Sequence, residues 1–586
     1  MKKIISLILV LAMCLSLTAA MAETFSIPRL EDIDTSVVNI DPSNPLGPQF
    51  TGLYSFDVVL EDGTVRQLYH YVPETLAYRQ PAVAIGVPSD EDAVDFVEAT
   101  GWKALADEQG FSLIIMLAGE DGWADNDAEY VNGVFGYMDD RTWLQMQDSA
   151  FYFVGYGDSA NSVMAHALDN SELLAGFAAF GVDSFDTTLL DAAKEAPSAL
   201  EGTSKAEVNI PVWFGAEEKN TTIEQLISFW KNCNDLNESS AMSNAYADEI
   251  YIFRPELALD NDMTDQNVAQ VRVTIGLEKA KAPEFTDELW NSFLRRVRRQ
   301  DSETINGLRA FATNEELGME RATVEVGGVT REMWIYMPTA VKNGLSNVPV
   351  LFVAHGGGGS GEEFPNRTGW ARVSEERNFI TVYMTGSRSN QKFKASTTWQ
   401  ISDLEYWKAI REYVLENYTM IDKTRVYMTG HSMGDLMAHY IGLYTPELVA
   451  AIAPNDALVI GGIDGLEDPI VEDIAMPYML NIGTLDYGFV PGGMNDGLTS
   501  REVLRILARY NITATEEETY KYQNGRYYGY VWTNHQGIPV AKEQWVEGKI
   551  HAMIPEECYT IYDFLCNYSR GEDGTSYYMG VAIELN

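Results

Sequence analysis

The chain has 586 residues, too many for one ordinary core, and its 46% hydrophobic and 11% aromatic content is that of a folded protein of at least two domains. With 41 basic against 86 acidic residues it carries a formal charge of −45, which repels nucleic acid and anionic lipid and fits neutral substrates such as esters and glycans. No Cys/His metal spacing occurs, so no metal is expected.

Lys2 and Lys3, the apolar run Ile4 to Leu17 and the small-residue site Ala20-Met21-Ala22 read as a signal peptide over 1–22, cleaved after Ala22. The run is short for a membrane span. A lipoprotein cut before Cys14 is the alternative, with Met13 a poor small residue at that site. The mature protein is therefore expected to be secreted, with no membrane attachment. Of its cysteines, Cys558 and Cys566 are placed two turns apart on one helix, too far to bridge, so with Cys233 they make no disulfide framework. Residues 23–50, with Pro28, Pro42, Pro45 and Pro48, read as an extended lead-in.

From about residue 51 the chain becomes regular and then repeats itself. The stretch Arg66 to Pro73 resembles Arg331 to Pro338, and the buried-strand run Pro81 to Gly86 resembles Pro349 to Ala354. Thr100-Gly101-Trp102 recurs as Thr368-Gly369-Trp370, each before an acidic helix and a second buried strand, Phe111 to Met116 and Phe379 to Met384. Phe151 to Gly155 matches Val426 to Gly430, Met164-Ala165-His166 matches Met437-Ala438-His439, and Ile210 to Gly215 matches Met476 to Gly483. The order predicts two copies of one α/β plan, at 51–300 and 301–586, joined in the charged stretch Arg295 to Glu303. Strands alternating with helices predict a mainly parallel sheet flanked by helices in each.

The second copy carries the chemistry. Arg425 to Thr429 feeds Gly430-His431-Ser432-Met433-Gly434, and an amphipathic helix follows. Strand, tight turn and helix in that order make a nucleophile elbow with Ser432 exposed above the sheet. His355-Gly356-Gly357-Gly358-Gly359 follows a buried strand, so the backbone of Gly356 and Gly357 is placed to complete an oxyanion hole with the Met433 amide. Met479 to Asp486 reads as a strand ending in a turn that presents Asp486 as the acid; Asp496, in a glycine-rich loop, is the reserve. His551, in a loop before a helix spanning Tyr559 to Tyr568, is the expected base, and His535 the expected turn residue. His431 and His439 are assigned to packing and His355 to shaping the glycine loop.

These residues together make the second copy resemble secreted α/β-hydrolase esterases of the polyhydroxybutyrate depolymerase and feruloyl/acetylxylan esterase group, over roughly residues 320–570. The resemblance implies two tandem α/β-hydrolase-like domains, a Ser432–His551–Asp486 triad, no cofactor, and a small-molecule, polysaccharide-linked or polyester ester as substrate. It implies hydrolysis of feruloyl, acetyl or hydroxyalkanoate esters; a serine peptidase of the same fold and a non-catalytic extracellular binding protein are the alternatives. In the first copy, Val87-Pro88-Ser89-Asp90 replaces the glycine loop, and Pro88 has no N–H to donate. Ser159 lines up with Ser432, Glu218 falls near the acid, and Lys279 stands where His551 does. The first copy is therefore expected to be catalytically dead, a packing partner or a wall of the substrate cleft.

Overall fold

Alternate residues of a strand near the start of the chain go to two different cores. In Gln80–Gly86, Ala82 and Ala84 pack with Phe151 and Phe153 on one face, while Val83 and Ile85 pack with Tyr152 and Val154 on the other. A sheet buried on both faces is what continuous apolar runs specify. The computed structural model describes residues 27–33, 50–76, 79–124, 127–140, 146–198, 202–253, 267–300, 307–389, 396–458, 471–493, 498–515 and 518–585. The leader 1–22, most of the lead-in 23–50 and the reserve acid Asp496 lie outside the described residues.

Among the described residues the first half forms a nine-stranded sheet from β1 (Gly52–Val59), β2 (Val65–Val72), β3 (Gln80–Gly86), β4 (Ser112–Met116), β5 (Met146–Tyr156), β6 (Gly176–Phe180), β7 (Val212–Ala216), β8 (Glu249–Tyr251) and β9 (Val271–Ile275). Their order is β1-β2-β4-β3-β5-β6-β7-β9-β8, parallel from β4 to β9 and antiparallel at both edges. A hairpin follows, β10 (Val297–Gln300) with β11 (Gly307–Ala310). The expected joint thus falls inside a hairpin whose Val297 and Leu308 pack on Val268 and Ala269 of the first half.

Among the described residues the second half forms a ten-stranded sheet. It uses β12 (Glu320–Val326), β13 (Val329–Tyr336), β14 (Val348–Ala354) and β15 (Ile380–Met384), then, after a small hairpin of β16 (Ser387–Ser389) and β17 (Ser396–Thr398), β18 (Ile421–His431), β19 (Ala451–Asn455), β20 (Tyr478–Gly483), β21 (Thr519–Asn524), β22 (Tyr527–Thr533) and β23 (Pro539–Val546). Its order, β12-β13-β15-β14-β18-β19-β20-β23-β22-β21, reproduces the first sheet strand for strand and adds β21 at the far edge. Two mixed, mainly parallel sheets flanked by helices are the α/β-hydrolase-like architecture, present twice.

The repeated Thr-Gly-Trp has a packing reason. A Cβ on Gly101 would stand 3.0 Å from Cβ of Pro283, and one on Gly369 would stand 2.6 Å from the Pro555 carbonyl oxygen. Both glycines let a helix start lie against a proline, Pro283 at the first position of the C-terminal helix of the first half and Pro555 two residues before that of the second. That helix in the second half is Glu557–Leu565, so Cys558 lies on it and Cys566 caps its end; Tyr568, expected on the helix, instead begins a strand. Cys233, Cys558 and Cys566 are free thiols. Among the described residues no helix is long and apolar enough to cross a membrane, and no cluster of His, Cys, Asp and Glu could hold a metal ion.

Candidate active site

Strand β18 runs straight into Ser432, whose backbone sits at φ 55° and ψ −116° before the helix Met433–Tyr444 begins. A non-glycine residue in that region is strained, and the surroundings hold it there. The Ser432 N–H donates to the Asn455 carbonyl at 2.9 Å. A Cβ on Gly430 would lie 2.2 Å from the Gly434 carbonyl oxygen, and one on Gly434 would lie 2.1 Å from that of Ala354. Both glycines of the motif are thus required by contact with backbone, not by flexibility.

Three side chains from separate segments meet at this turn. His551 Nε2 lies 2.8 Å from Ser432 Oγ, and His551 Nδ1 lies 2.7 Å from Asp486 Oδ2. Asp486 is fully buried and its other oxygen accepts from the Gly488 N–H at 2.7 Å. Two rings flank the imidazole, Tyr487 at 4.6 Å and His431 at 4.8 Å between centroids. His431 is held neutral, because burial and the nearby His551 and Lys549 push its pKa well below the usual imidazole range.

The glycine loop lies against the elbow. A Cβ on Gly357 would touch Met433 Cγ at 3.4 Å, and one on Gly356 would touch Ser432 Cβ at 3.4 Å. The Gly356 carbonyl accepts from His355 Nδ1 at 2.6 Å and from the Gly359 N–H at 3.1 Å. Because a peptide unit is planar and trans, this turns the Gly357 N–H to the opposite side. His355 is locked in turn: its Nε2 accepts from the Gly386 N–H at 2.8 Å and its carbonyl accepts from Trp399 Nε1 at 2.8 Å. Burial pushes its pKa down to about 4, so it stays neutral and structural.

Sequence reasoning missed the support beneath the triad. Lys549, two residues before His551, is completely buried, and its ammonium donates to Asn455 Oδ1 (2.9 Å), Asp456 Oδ2 (2.7 Å) and Glu557 Oε2 (2.9 Å). Glu557 also accepts from Asn455 Nδ2 at 2.9 Å and from the Ile554 N–H at 2.9 Å. Asp456 accepts from the Gly483 N–H at 2.9 Å, tying the turn that carries Asp486 to the same network. Burial would lower the Lys549 pKa, but Asp456 and Glu557 outweigh it and the net shift is upward. The only sequence signal was a lysine beside the candidate base. The remaining histidines lie apart: His535 pairs with Glu584 at 3.0 Å in a turn, and His439 bonds Asp435 and Tyr478 beneath the helix.

The first half has the same turn without the parts. Pairing Gly86 with Gly155 and Ala354 with Gly430 sets the two halves in register. Gly157, at φ 57°, then stands at Ser432, and Ser159 stands at Gly434. The alignment of Ser159 with Ser432 is therefore corrected by two residues. Ser159 is fully buried, with Oγ donating to the Gly86 and Tyr156 carbonyls at 2.9 and 2.8 Å and accepting from the Tyr156 N–H at 2.9 Å. In the same register Pro88 stands at Gly356 and Ser89 at Gly357. The Ser89 N–H is taken by the Asp158 carboxylate at 3.0 Å, from the position of Met433. Lys279 pairs with Asp248 at 2.8 Å, away from Ser159. Asn220, two residues past Glu218, caps a helix by accepting from the Ile223 N–H at 3.0 Å.

Among known proteins, no family model matches the chain. A bifunctional acetylxylan esterase/xylanase of Neocallimastix patriciarum is 25% identical over 146 residues, which is 24% of this chain and 20% of that protein. Feruloyl esterase B of Talaromyces funiculosus is 29% identical over 126 residues, 20% of this chain and 34% of that protein. The chain therefore spans about a fifth to a third of the length of these curated relatives. Among solved structures, the acetyl xylan esterase from Aspergillus awamori matches at 17% identity with a TM-score of 0.32, over 42% of this chain and 99% of that one. A poly(3-hydroxybutyrate) depolymerase from Bordetella parapertussis matches at 15% identity with a TM-score of 0.28, over 41% and 89%. The chain resembles the esterase group that its motifs point to.

Proposed function

We propose that the protein is a secreted serine esterase that hydrolyses feruloyl, acetyl or hydroxyalkanoate esters through an acyl-enzyme on Ser432. The observation that carries this reading is the unbroken chain of contacts from Ser432 Oγ through the His551 imidazole to the Asp486 carboxylate. His551 Nε2 takes the Ser432 proton as Oγ attacks the ester carbonyl, while Asp486 holds the Nδ1–H tautomer and stabilises the imidazolium. The amides of Met433, Gly356 and Gly357 receive the negative charge that develops on the carbonyl oxygen. Protonated His551 then gives its proton to the leaving alcohol, and water repeats the sequence to release the acid. The esterase names of the relatives support the reaction class. In the first half a carboxylate already accepts from the amide at the Gly357 position, which supports that position as an anion acceptor.

The first half is proposed to be a degenerate duplicate without turnover of its own. Assay of p-nitrophenyl acetate against a chromogenic peptide tests ester against amide specificity, and a screen of methyl ferulate, acetylated xylan and hydroxybutyrate oligomers tests the acyl group. Hydrolysis of the peptide alone would overturn the esterase reading.

A further inference from the structure

The two halves meet end to end. The first half presents the N-terminal ends of β3 and β5, opposite the edge where its own empty elbow lies. The second half presents the loop that runs on from the oxyanion glycines. Arg79, just before β3, pairs with Glu363 at 3.9 Å, and Gln300 Nε2 of the hairpin donates to the Asn366 carbonyl at 2.9 Å. Asn314 Nδ2 donates to the Glu362 carbonyl at 2.9 Å. Between these contacts lies a cavity of about 280 Å³. Its walls come from three parts of the chain: Gln80, Gln147 and Ser149 from the first half, Asn314 from the connector, and Trp334 and Glu362 from the second half.

We infer that this cavity is a binding site for a neutral saccharide of one or two residues, separate from the ester-cleaving centre. The lining is rich in amides, carboxyls and guanidiniums around one half-buried indole, which pairs many directional hydrogen-bonding groups with an apolar platform. Such a surface suits a ring with hydroxyls around its rim and C–H groups on its face. Charge argues against an anion. Arg367 is paired with Glu363 at 3.2 Å, and Arg298 bonds the Val297 carbonyl at 2.9 Å while lying over the Phe311 ring at 3.6 Å. Three arginines therefore share the lining with Glu315, Glu362 and Glu363, so the walls carry both signs of charge and not a cationic cluster of the kind that selects a carboxylate or phosphate. Burial raises the Glu362 pKa to about 7, so near neutrality its carboxyl can donate as well as accept, as a hydroxyl partner requires. Gln147 Oε1, Asn314 Oδ1 and Trp334 Nε1, on residues of this lining, are enclosed and have no hydrogen-bond partner among the described residues.

The site does not depend on Ser432 being a nucleophile. A saccharide held here would tie the first half to the loop that carries Gly356 and Gly357, and would hold a glycan while an ester on it is cleaved. The test is calorimetric titration of the full chain with xylobiose, cellobiose and mannobiose, with sodium phosphate and sodium ferulate as anionic probes. At least one neutral disaccharide should bind. Ser149→Trp, which fills the cavity from one half, and Asn314→Ala, which removes a contact from the connector, should each weaken that binding at least about tenfold, while Ser432→Ala leaves it unchanged. An unchanged circular-dichroism spectrum and melting temperature certify that each cavity variant is folded. The inference is overturned if none of the disaccharides binds up to about 10 mM, if binding survives in a folded cavity variant, or if only the anions bind. Lost disaccharide binding with intact ester hydrolysis removes this site alone.

Discussion

At the turn after the central strand, the two halves adopt one backbone and use it differently. Ser432 and Gly157 have φ of 55° and 57°, each just past a glycine paired to the neighbouring strand. In the second half a strained serine is met by an imidazole, and a glycine-lined loop lies against the same turn. In the first half the strained position is a glycine, Pro88 removes one amide and Asp158 fills the other. The two sheets share one strand order although the serine, imidazole and carboxylate meet in the second, so the fold alone says nothing about activity; the site residues do.

The largest effect that could break this comparison is on turnover. Ser432→Ala or His551→Ala should lower kcat by about 10⁴–10⁶ with the fold intact, whereas Ser159→Ala should leave it within about twofold, as read by steady-state hydrolysis of p-nitrophenyl acetate. Importing the first half's residue should be nearly as harmful. Gly434→Ser sets a Cβ 2.1 Å from the Ala354 carbonyl oxygen and should remove activity by about 10³ or more, or prevent folding, as read by activity and circular dichroism.

Smaller effects concern stability. Lys549→Met leaves two carboxylates buried without their cation and should cost about 3–5 kcal/mol in urea denaturation. Ser159→Ala, silent in turnover, should still cost about 1–2 kcal/mol through its lost bonds to the buried backbone. The smallest effect is at Glu362. Its folded-state pKa is raised from 4.5 to about 7, so the folded form holds the proton longer than the unfolded chain does. Its contribution is full below the unfolded pKa and is lost as pH rises through the folded one. Glu362→Gln should therefore match the parent near pH 4 and be the more stable of the two near pH 8, with the gap in thermal melts opening between the unfolded and folded pKa.

Much of the plan was legible because it rests on contacts that restrict residue type. Gly101 and Gly369 are fixed by prolines, and Gly430 and Gly434 by backbone oxygens, so the same letters recur at the same places. A serine-to-serine match misplaces the first-half elbow by two residues, whereas the strand register points to Gly157. The Lys549 network was not legible at all. Asn455, Asp456, Lys549 and Glu557 come from three segments, and nothing in their spacing announces a shared buried charge. The cavity between the halves was beyond reach for the same reason, since its walls meet only when both sheets are in place.

The most direct test of the account is the site of covalent capture. The full chain is treated with a fluorophosphonate and the adduct is located by intact mass and peptide mapping. One adduct on Ser432, abolished in Ser432→Ala and absent from the first half, is the predicted result. An adduct on Ser159, or labelling that persists in Ser432→Ala, would contradict it.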